Sequence, residues 1–195
     1  MMEKIILASA SPRRRELLSL IGIPFQVIVS QAEEVVTQTE PDRIVMELAA
    51  AKAEAVAALP EAAGKTVLGS DTIVWCDGSV LGKPKDHDEA AAMLHSLQGK
   101  EHSVYTGVAL INRQRGIRRL FFRRTRVFVH TMSNEEIEGY IATGEPFDKA
   151  GGYGIQGPFA AYVDGIEGDY QTVVGLPVSA VYQELKEICG MQDPV

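Results

Sequence analysis

Two charged residues occupy positions that are otherwise predicted to be buried in the apolar core, and they are the first candidates for catalytic or binding residues. Asp71 lies inside the apolar run 66–75, which is typical of a central strand. A lone carboxylate is costly to desolvate there, so it is either a structurally satisfied acid or a general base or metal ligand. Lys52 falls on the apolar stripe of a helix predicted over 41–59. Its ammonium group either reaches inward to a site or snorkels to solvent.

Three consecutive arginines follow the first predicted strand. Ser11 and Pro12 are typical of an N-cap and the first position of a helix, so Arg13 to Arg15 fall in its first turn. Cations are unfavourable there by about 0.3–1 kcal/mol each, because they meet the positive end of the helix dipole. A bound anion such as a polyphosphate offsets this cost. The alternative is that the arginines point to solvent and pair with acids such as Glu16.

The segment 147–157 concentrates glycine around polar side chains. It contains a literal G-x-G-x-x-G at 152–157, but it follows a predicted helix and precedes an apolar strand. The dinucleotide-binding fingerprint instead follows a strand and opens a helix. Dense glycine permits close approach of a backbone to a ligand, and Tyr153 and Gln156 offer an aromatic face and an amide edge. A tight structural turn explains the same glycines equally well.

Composition excludes several classes of protein. The chain of 195 residues has a formal net charge of −7, with 46% hydrophobic and 23% charged residues. This is ordinary for one compact domain and argues against a general nucleic-acid binder, whose footprint is basic. The Arg-rich stretch 113–126 is a local exception; we interpret it as a solvated or subunit-contacting hairpin, and an RNA or DNA site is the alternative. We expect no membrane span and no secretory signal, and the two cysteines favour a reducing cytoplasm.

Several familiar catalytic signatures are missing from the sequence. It contains no G-x-x-x-x-G-K-[ST] phosphate loop, no zinc-type spacing of histidine and cysteine, and no G-x-S-x-G nucleophile elbow. What remains is a set of acids with dispersed arginines and lysines. These groups suit metal-assisted attack of water on a phosphate.

Apolar runs and capping signals predict the elements that position these residues. Strands are predicted near 4–8, 25–29, 66–75, 102–112, 117–131 and 159–166, with a hairpin turn at Asp77-Gly78. Helices are predicted to begin at Pro12, at Pro41, at the capping boxes Asp86/Glu89 and Ser133/Glu136, and at Pro177. The order of elements predicts a mixed-sheet α/β domain surrounded by helices.

Five segments, 7–14, 69–74, 81–84, 148–157 and 174–177, occur in a recognisable order and span nearly the full chain. Together they resemble the Maf family of nucleoside triphosphate pyrophosphatases, also named septum formation inhibitors. The resemblance implies an inosine-triphosphatase-like α/β fold, a mixed twisted sheet flanked by helices with two lobes around a cleft. It also implies a single domain over 1–195, a cytoplasmic homodimer, a divalent cation (Mg²⁺ or Mn²⁺), and hydrolysis of a nucleoside triphosphate to its monophosphate and pyrophosphate.

Within that family the sequence is similar to the dTTP/UTP branch, and the resemblance implies roles for ten residues. The implied catalytic residues are Asp71, as general base, with Glu34 and Lys83. The implied substrate-binding or specificity residues are Arg13, Thr72, Gln156, Ser9, Arg14, Lys52 and Lys149. The implied metal ligands are Asp71 and Glu34, with Glu33 as the alternative acid of that loop. A glutamine amide can pair with the N3–H and O4 edge that uracil and thymine share.

Two other functions remain open at this point. One is a non-catalytic regulator of cell division that binds a nucleotide or a partner protein through the stretch 113–126. The other is a pyrophosphatase for a different base, such as a modified guanine or pyrimidine. Release of pyrophosphate from a panel of nucleotides distinguishes the three.

Overall fold

The structure is a computed structural model that describes residues 3–189. Over this range seven strands form one mixed sheet: β1 (Ile5–Leu7), β2 (Phe25–Val27), β3 (Val67–Cys76), β4 (Ser79–Leu81), β5 (Glu101–Asn112), β6 (Ile117–Val129) and β7 (Val163–Glu167). The pairing order is β2-β1-β3-β5-β6-β7, and β4 pairs with β3. β1 is parallel to β2 and β3, whereas the β3–β4 and β6–β7 pairs are antiparallel.

The helices that accompany the sheet start close to where the capping signals predict. They are α1 (Pro12–Leu20), α2 (Pro41–Ala57), α3 (His87–Leu97), α4 (Asn134–Ile141), α5 (Tyr170–Val174) and α6 (Val178–Cys189). Short 3₁₀ helices occupy 60–62, 145–148, 150–152 and 158–162. The predicted mixed α/β class is confirmed, although α5 was not predicted.

Two of the local signals are formed as the sequence predicts. The Ser11 side chain accepts from the backbone N–H of Arg14, which makes Ser11 the N-cap of α1. Ser133 and Glu136 form both hydrogen bonds of a capping box at the start of α4. The amino-terminal helix therefore begins where its arginines fall in the first turn.

Two other predictions were wrong in detail. Asp86 accepts from the backbone N–H of Glu89, but the Glu89 carboxylate accepts from Lys85 rather than from the cap, so this capping box is only half formed. The strand predicted over 159–166 begins only at Val163. The residues before it form the 3₁₀ helix 158–162, because proline at its first position has a fixed φ and no N–H to donate to a ladder.

The described residues divide into two compact units. The first contains residues up to Asp71, Thr106–Arg123 and the residues from Gly175 onward. The second contains Thr72–Tyr105 and Arg124–Val174. The prediction of one functional domain is not tested by this division and stays a prediction.

Each unit has its own apolar core. In the first unit, small residues of α2 such as Ala49 and Ala53 pack against β1, β3 and β5. In the second, α3 and α4 pack with β-strand residues and with the rings of Tyr140, Tyr153 and Phe159.

Two further sequence expectations concern the membrane and the cysteines. Over residues 3–189 no helix combines the length and apolar character that crossing a bilayer requires. Cys76 is a buried free thiol, whereas the side chain of Cys189 lies outside the described part of the chain.

Candidate active site

Helix α2 lies directly on the sheet because glycine removes the side chains that would separate them. A Cβ atom added at Gly69 would lie 2.3 Å from the carbonyl oxygen of Ala49 and 2.8 Å from the nitrogen of Ala53. The same approach occurs at Gly107, where an added Cβ would lie 2.3 Å from the carbonyl oxygen of Val45. This close packing brings α2 within reach of the side chains that β3 presents near Gly69.

Lys52 contacts two carboxylates, one that stood out in the sequence (Asp71) and one that the family resemblance implied (Glu34). Its Nζ lies 2.5 Å from Oδ1 of Asp71 and 2.8 Å from Oε1 of Glu34. The side chains of Lys52 and Asp71 are mostly buried, at 16% and 13% exposure, whereas Glu34 is 64% exposed. Lys52 therefore reaches inward from α2 rather than snorkelling, and one ammonium group holds the strand acid and the loop acid together.

The loop before α1 is tied to the loop before α6 through Arg14. The Arg14 guanidinium donates to the hydroxyl oxygen of Ser9 and, through Nε, to the carbonyl oxygen of Gly175 at 2.9 Å. The hydroxyl group of Ser70, the neighbour of Asp71, donates to the same carbonyl at 3.3 Å. Three of the five quoted segments thus meet beside the strand acid, because Arg14 and Ser70 both donate to the backbone oxygen of Gly175.

The three arginines of α1 differ in their surroundings. Arg15 is exposed, and its guanidinium donates to the carbonyl oxygen of Ala10. Burial lowers the pKa of Arg14 from its ordinary value, while the Asp71 carboxylate opposes that shift. Arg13 is half-buried, and its charge lowers the pKa of Arg14 further. The first turn of α1 therefore concentrates positive charge next to Asp71 in the first unit.

In the second unit the glycine-rich segment is shaped around an ion pair. Nζ of Lys149 lies 2.9 Å from Oε2 of Glu145 and 2.6 Å from Oδ1 of Asp148. A Cβ added at Gly154 would lie 2.6 Å from Cε of Lys149, and one added at Gly157 would lie 2.9 Å from Oε2 of Glu145. The chain therefore passes directly over the ion-paired side chains, and a larger residue at either position would displace the ends of Lys149 or Glu145.

The other predicted residues of the second unit lie on loops or at a strand position. Lys83 and Gln156 are exposed, and Thr72 is partly buried in β3. The backbone N–H of Gly151 donates to the carbonyl oxygen of Gly82 at 2.9 Å. The segment that carries Gln156 and the loop that carries Lys83 are therefore joined by a backbone hydrogen bond.

Sequence reasoning missed two residues that support these side chains. Ser70 lies inside a quoted motif, so its place beside Asp71 was a usable signal. Glu145 stands four residues before Lys149, a spacing that suggests a pair in a helix but was not considered in a glycine-rich segment.

The carboxylates of Asp71 and Glu34 suit a divalent cation of the magnesium type. Both reach the same ammonium group, so their oxygens converge on one point. Mg²⁺ prefers oxygen ligands and is usually held by one or two carboxylates together with substrate phosphates. Among residues 3–189 no group of three or more histidine, cysteine, aspartate or glutamate side chains is arranged to hold a metal ion, and these two carboxylates would share a cation with the substrate phosphates.

Comparison with known proteins identifies the family. A family model described as Maf-like protein matches residues 4–188. The chain belongs to the Maf family. The match covers every candidate residue named above, in both units, and includes the five segments that carried the resemblance.

Individual Maf relatives are similar over almost their whole length. The chain is 52% identical over 187 residues to the dTTP/UTP pyrophosphatase of Bacillus cytotoxicus, which covers 95% of this chain and 96% of that protein. It is 47% identical over 201 residues to the dTTP/UTP pyrophosphatase of Agathobacter rectalis, with 96% and 98% covered. Among solved structures it is similar to the Staphylococcus aureus Ham1 protein, with a TM-score of 0.48, 17% identity, and 65% and 72% of the two chains covered. The family assignment rests on the family model and on the sequence relatives, not on this structural similarity.

Proposed function

We propose that this Maf-family protein is a dTTP/UTP pyrophosphatase that hydrolyses these nucleotides to the monophosphate and pyrophosphate. The observation that carries the proposal is the contact of Lys52 with both Asp71 and Glu34, beside the arginine-rich start of α1. Relatives that are about 50% identical over nearly the full chain are named dTTP/UTP pyrophosphatase. Removal of such nucleotides would place the protein in cytoplasmic nucleotide metabolism, and the small number of cysteines is compatible with that compartment.

The first turn of α1 provides the attraction for phosphate. Backbone N–H groups at a helix start and the aligned helix dipole favour an anion, and Arg13 adds a guanidinium group that can bind two phosphate oxygens. Arg14 donates to Ser9 and Gly175, so it orders this loop as well as contributing charge. Lys52 adds a third cation whose position is fixed by its carboxylate partners.

Asp71 is the general base in this mechanism. It accepts a proton from water as the water oxygen attacks the α-phosphorus, and the bond from that phosphorus to the pyrophosphate oxygen breaks. Lys52 holds the carboxylate in place and stabilises charge that develops on phosphate oxygens. Lys83 and Lys149 are proposed as further cations for the substrate, on the ground of the family resemblance.

Asp71 and Glu34 would also hold a divalent cation. When bound, Mg²⁺ or Mn²⁺ supplies charge neutralisation and orientation of the triphosphate. A carboxylate has two oxygens, so Asp71 can contact a cation and a water molecule together. Activity is therefore expected to disappear on chelation and to return when Mg²⁺ or Mn²⁺ is added.

Gln156, Thr72 and Arg13 are proposed to give the preference for dTTP and UTP. The Gln156 amide oxygen accepts from N3–H, and its NH₂ group donates to O4 of uracil or thymine. A cytosine presents the opposite pattern on this edge and leaves polar groups unpaired, at a cost of about 1–3 kcal/mol per group. The exposed position of Gln156 on its loop is compatible with contact to a ligand.

A panel of nucleotides tests the proposal. The protein is incubated with Mn²⁺ and each of the common ribo- and deoxyribonucleoside triphosphates, and released pyrophosphate is measured. We expect turnover to be fastest with dTTP and UTP. Asp71→Asn is expected to lower the rate by about 100-fold or more, since a positioned base contributes on that scale. Asp164→Asn, which removes an exposed carboxylate paired with His130, is the matched control.

Two outcomes would contradict the proposal. Absence of pyrophosphate release from every nucleotide, or full activity of Asp71→Asn, rules out the hydrolytic mechanism. Equal turnover of all bases rules out only the role given to Gln156. Expected assembly as a homodimer is measured separately by light scattering.

A role as a non-catalytic regulator of cell division receives less support. Several arginines of the stretch 113–126 are engaged within the chain, because Arg118 pairs with Glu54 and Arg126 pairs with both Glu101 and Glu167. Arg115 donates to a backbone carbonyl of α6. These contacts show that the arginines stabilise the fold by pairing within the chain. No contact of the described residues specifically favours a partner protein.

A further inference from the structure

A buried hydrogen bond joins His102, in β5, to Tyr153, in the glycine-rich segment. The imidazole Nε2 and the phenol oxygen lie 2.6 Å apart. The two rings meet edge to face, with centroids 5.2 Å apart. Both side chains are almost fully buried, at 4% and 5% exposure. The contact therefore fixes the direction of the Tyr153 ring as well as the position of its hydroxyl group.

The hydrogen bond joins two uncharged groups. Burial lowers the pKa of His102 to about 4 and raises the pKa of Tyr153. At neutral pH the imidazole is neutral, and its tautomer decides whether Nε2 accepts from the Tyr153 O–H or donates to the phenol oxygen. In either tautomer Nδ1 is buried without a hydrogen-bond partner within residues 3–189. A buried polar nitrogen without a partner is unfavourable, so packing alone does not explain a histidine at this place.

Tyr153 stands at the base of the turn that carries Gln156. The rings of Tyr153 and Phe159 lie 4.6 Å apart, and Phe159 is fully buried, so the two ends of the turn are held together. The backbone N–H of Gly157 donates to the carbonyl oxygen of Gly154 at 3.1 Å and closes the turn between them. Gln156 is exposed at its tip. Rotation of the Tyr153 ring would therefore shift the base of the turn and the direction of the Gln156 amide.

We propose that His102 and Tyr153 are positioning residues for nucleobase selection, and that their hydrogen bond orients the turn so that the Gln156 amide meets the edge of uracil or thymine. The inference rests on the proposed function, because it takes Gln156 as the residue that reads the base. Neither His102 nor Tyr153 contacts the substrate, and both act through Gln156. Loss of one buried hydroxyl group should then alter selection among bases rather than attack on the phosphate.

Tyr153→Phe is the primary variant, because it keeps the ring and removes only the hydroxyl group. We expect the ratio of kcat/KM for UTP to that for CTP to fall by about fivefold to tenfold, the usual scale of coupling between neighbouring groups. His102→Leu should lower this UTP/CTP ratio to the same extent. His102→Gln keeps an acceptor, so its ratio should stay closer to that of the unmodified protein. Tyr162→Phe is the matched control, since Tyr162 also packs on Phe159, at a centroid distance of 5.8 Å.

Two further measurements separate positioning from a general structural effect. In a Gln156→Ala background, Tyr153→Phe should not lower the UTP/CTP ratio again, because the residue through which it acts is gone. Amide hydrogen exchange at 154–157 should become about fivefold to tenfold faster in Tyr153→Phe than in Tyr162→Phe. The exchange measurement does not depend on enzymatic activity.

The outcomes distinguish this inference from the proposed function. The inference is overturned if Gln156→Ala lowers the UTP/CTP ratio but Tyr153→Phe does not. It is also overturned if exchange at 154–157 is the same in Tyr153→Phe and Tyr162→Phe. If the unmodified protein releases no pyrophosphate from any nucleotide, the proposed function fails, and faster exchange in Tyr153→Phe still supports the ordering of the turn by the hydrogen bond.

Discussion

Gly69→Ala should lower the stability of the fold and at the same time disturb the geometry of the candidate site. The added Cβ would lie 2.3 Å from the carbonyl oxygen of Ala49, about 1.1 Å inside the 3.4 Å at which ordinary contact begins. It would also lie 2.8 Å from the backbone nitrogen of Ala53. Backbone atoms cannot rotate away as a side chain can, so α2 must move away from β3 or the strand must bend.

The size of the effect follows from this geometry. Overpacking typically costs about 1–3 kcal/mol, and a clash with two backbone groups belongs at the upper end, near 3 kcal/mol. For a chain of this length the expected fall in Tm is about 6–12 °C. Lys52 lies between Ala49 and Ala53, so the same movement lengthens its contacts with Asp71 and Glu34. Misplacement of a site by about 1 Å can cost up to 100-fold in rate.

The assay is thermal and urea unfolding together with kcat/KM for UTP, measured where each variant is fully folded. Gly107→Ala is the matched control, because its added Cβ would lie 2.3 Å from the carbonyl oxygen of Val45, seven residues before Lys52. It should lose comparable stability but less activity. Gly139→Ala, in α4 with no atom near its added Cβ, should gain up to about 1 kcal/mol.

Two results would refute this reasoning. If Gly69→Ala loses less than about 0.5 kcal/mol, the scale of an ordinary surface substitution, then α2 does not depend on contact with β3 at this glycine. If Gly69→Ala and Gly107→Ala lose activity equally, the packing of α2 does not position Lys52 specifically.

Two other predictions concern stability alone. Ser133→Ala removes the capping box of α4 and should lower the free energy of unfolding, measured in urea, by about 1 kcal/mol. Ser19→Ala, at an exposed position within α1, is the control and should change this free energy little. Equal effects of the two substitutions would contradict the capping role of Ser133. Burial lowers the pKa of His102 from 6.5 to about 4, so between these pH values the imidazole is protonated in the unfolded chain but not in the folded one. The free energy of unfolding therefore falls as the pH drops from 6.5 to 4, by about 3 kcal/mol in all. His102→Gln should remove that part of the pH dependence. If the free energy of unfolding of His102→Gln still falls by the same amount between pH 6.5 and 4, His102 is not the source of the effect.

Local signals predicted the starts of elements because they act over a few residues. Ser11 caps α1 as predicted, and the hairpin turn after β3 has positive φ at Asp77 and Gly78, as two-residue turns require. The segment 145–162 was harder, because 3₁₀ helices have no extended apolar period. An apolar side chain such as Phe159 is buried there without belonging to a strand.

Asp71 and Lys52 were recognised by their unfavourable positions, whereas candidates such as Glu34 and Lys83 came from the family resemblance, and the pairing of these residues was not predictable. Asp71 and Lys52 each stood out as a charge among apolar residues, which is a property of the sequence. That Lys52 reaches Asp71 depends on the approach of α2 to β3 at Gly69, and no local pattern encodes that approach. The contact of His102 with Tyr153 is likewise a long-range contact, and the missing zinc spacing gave no reason to examine His102.

The charges of the first unit give a physical reason for the cation in the proposed mechanism. Lys52, Arg13 and Arg14 carry three positive charges, whereas Asp71 and Glu34 carry two negative charges, which leaves one positive charge in excess. A triphosphate brings several negative charges, so these side chains alone do not neutralise it, and Lys52 is already engaged by both carboxylates. A divalent cation held by the carboxylates would offset their charge and leave Lys52 and the arginines to the phosphates. The two carboxylates that contact Lys52 are therefore the groups that would hold the cation, and its binding would exchange their contact with Lys52 for one with the metal.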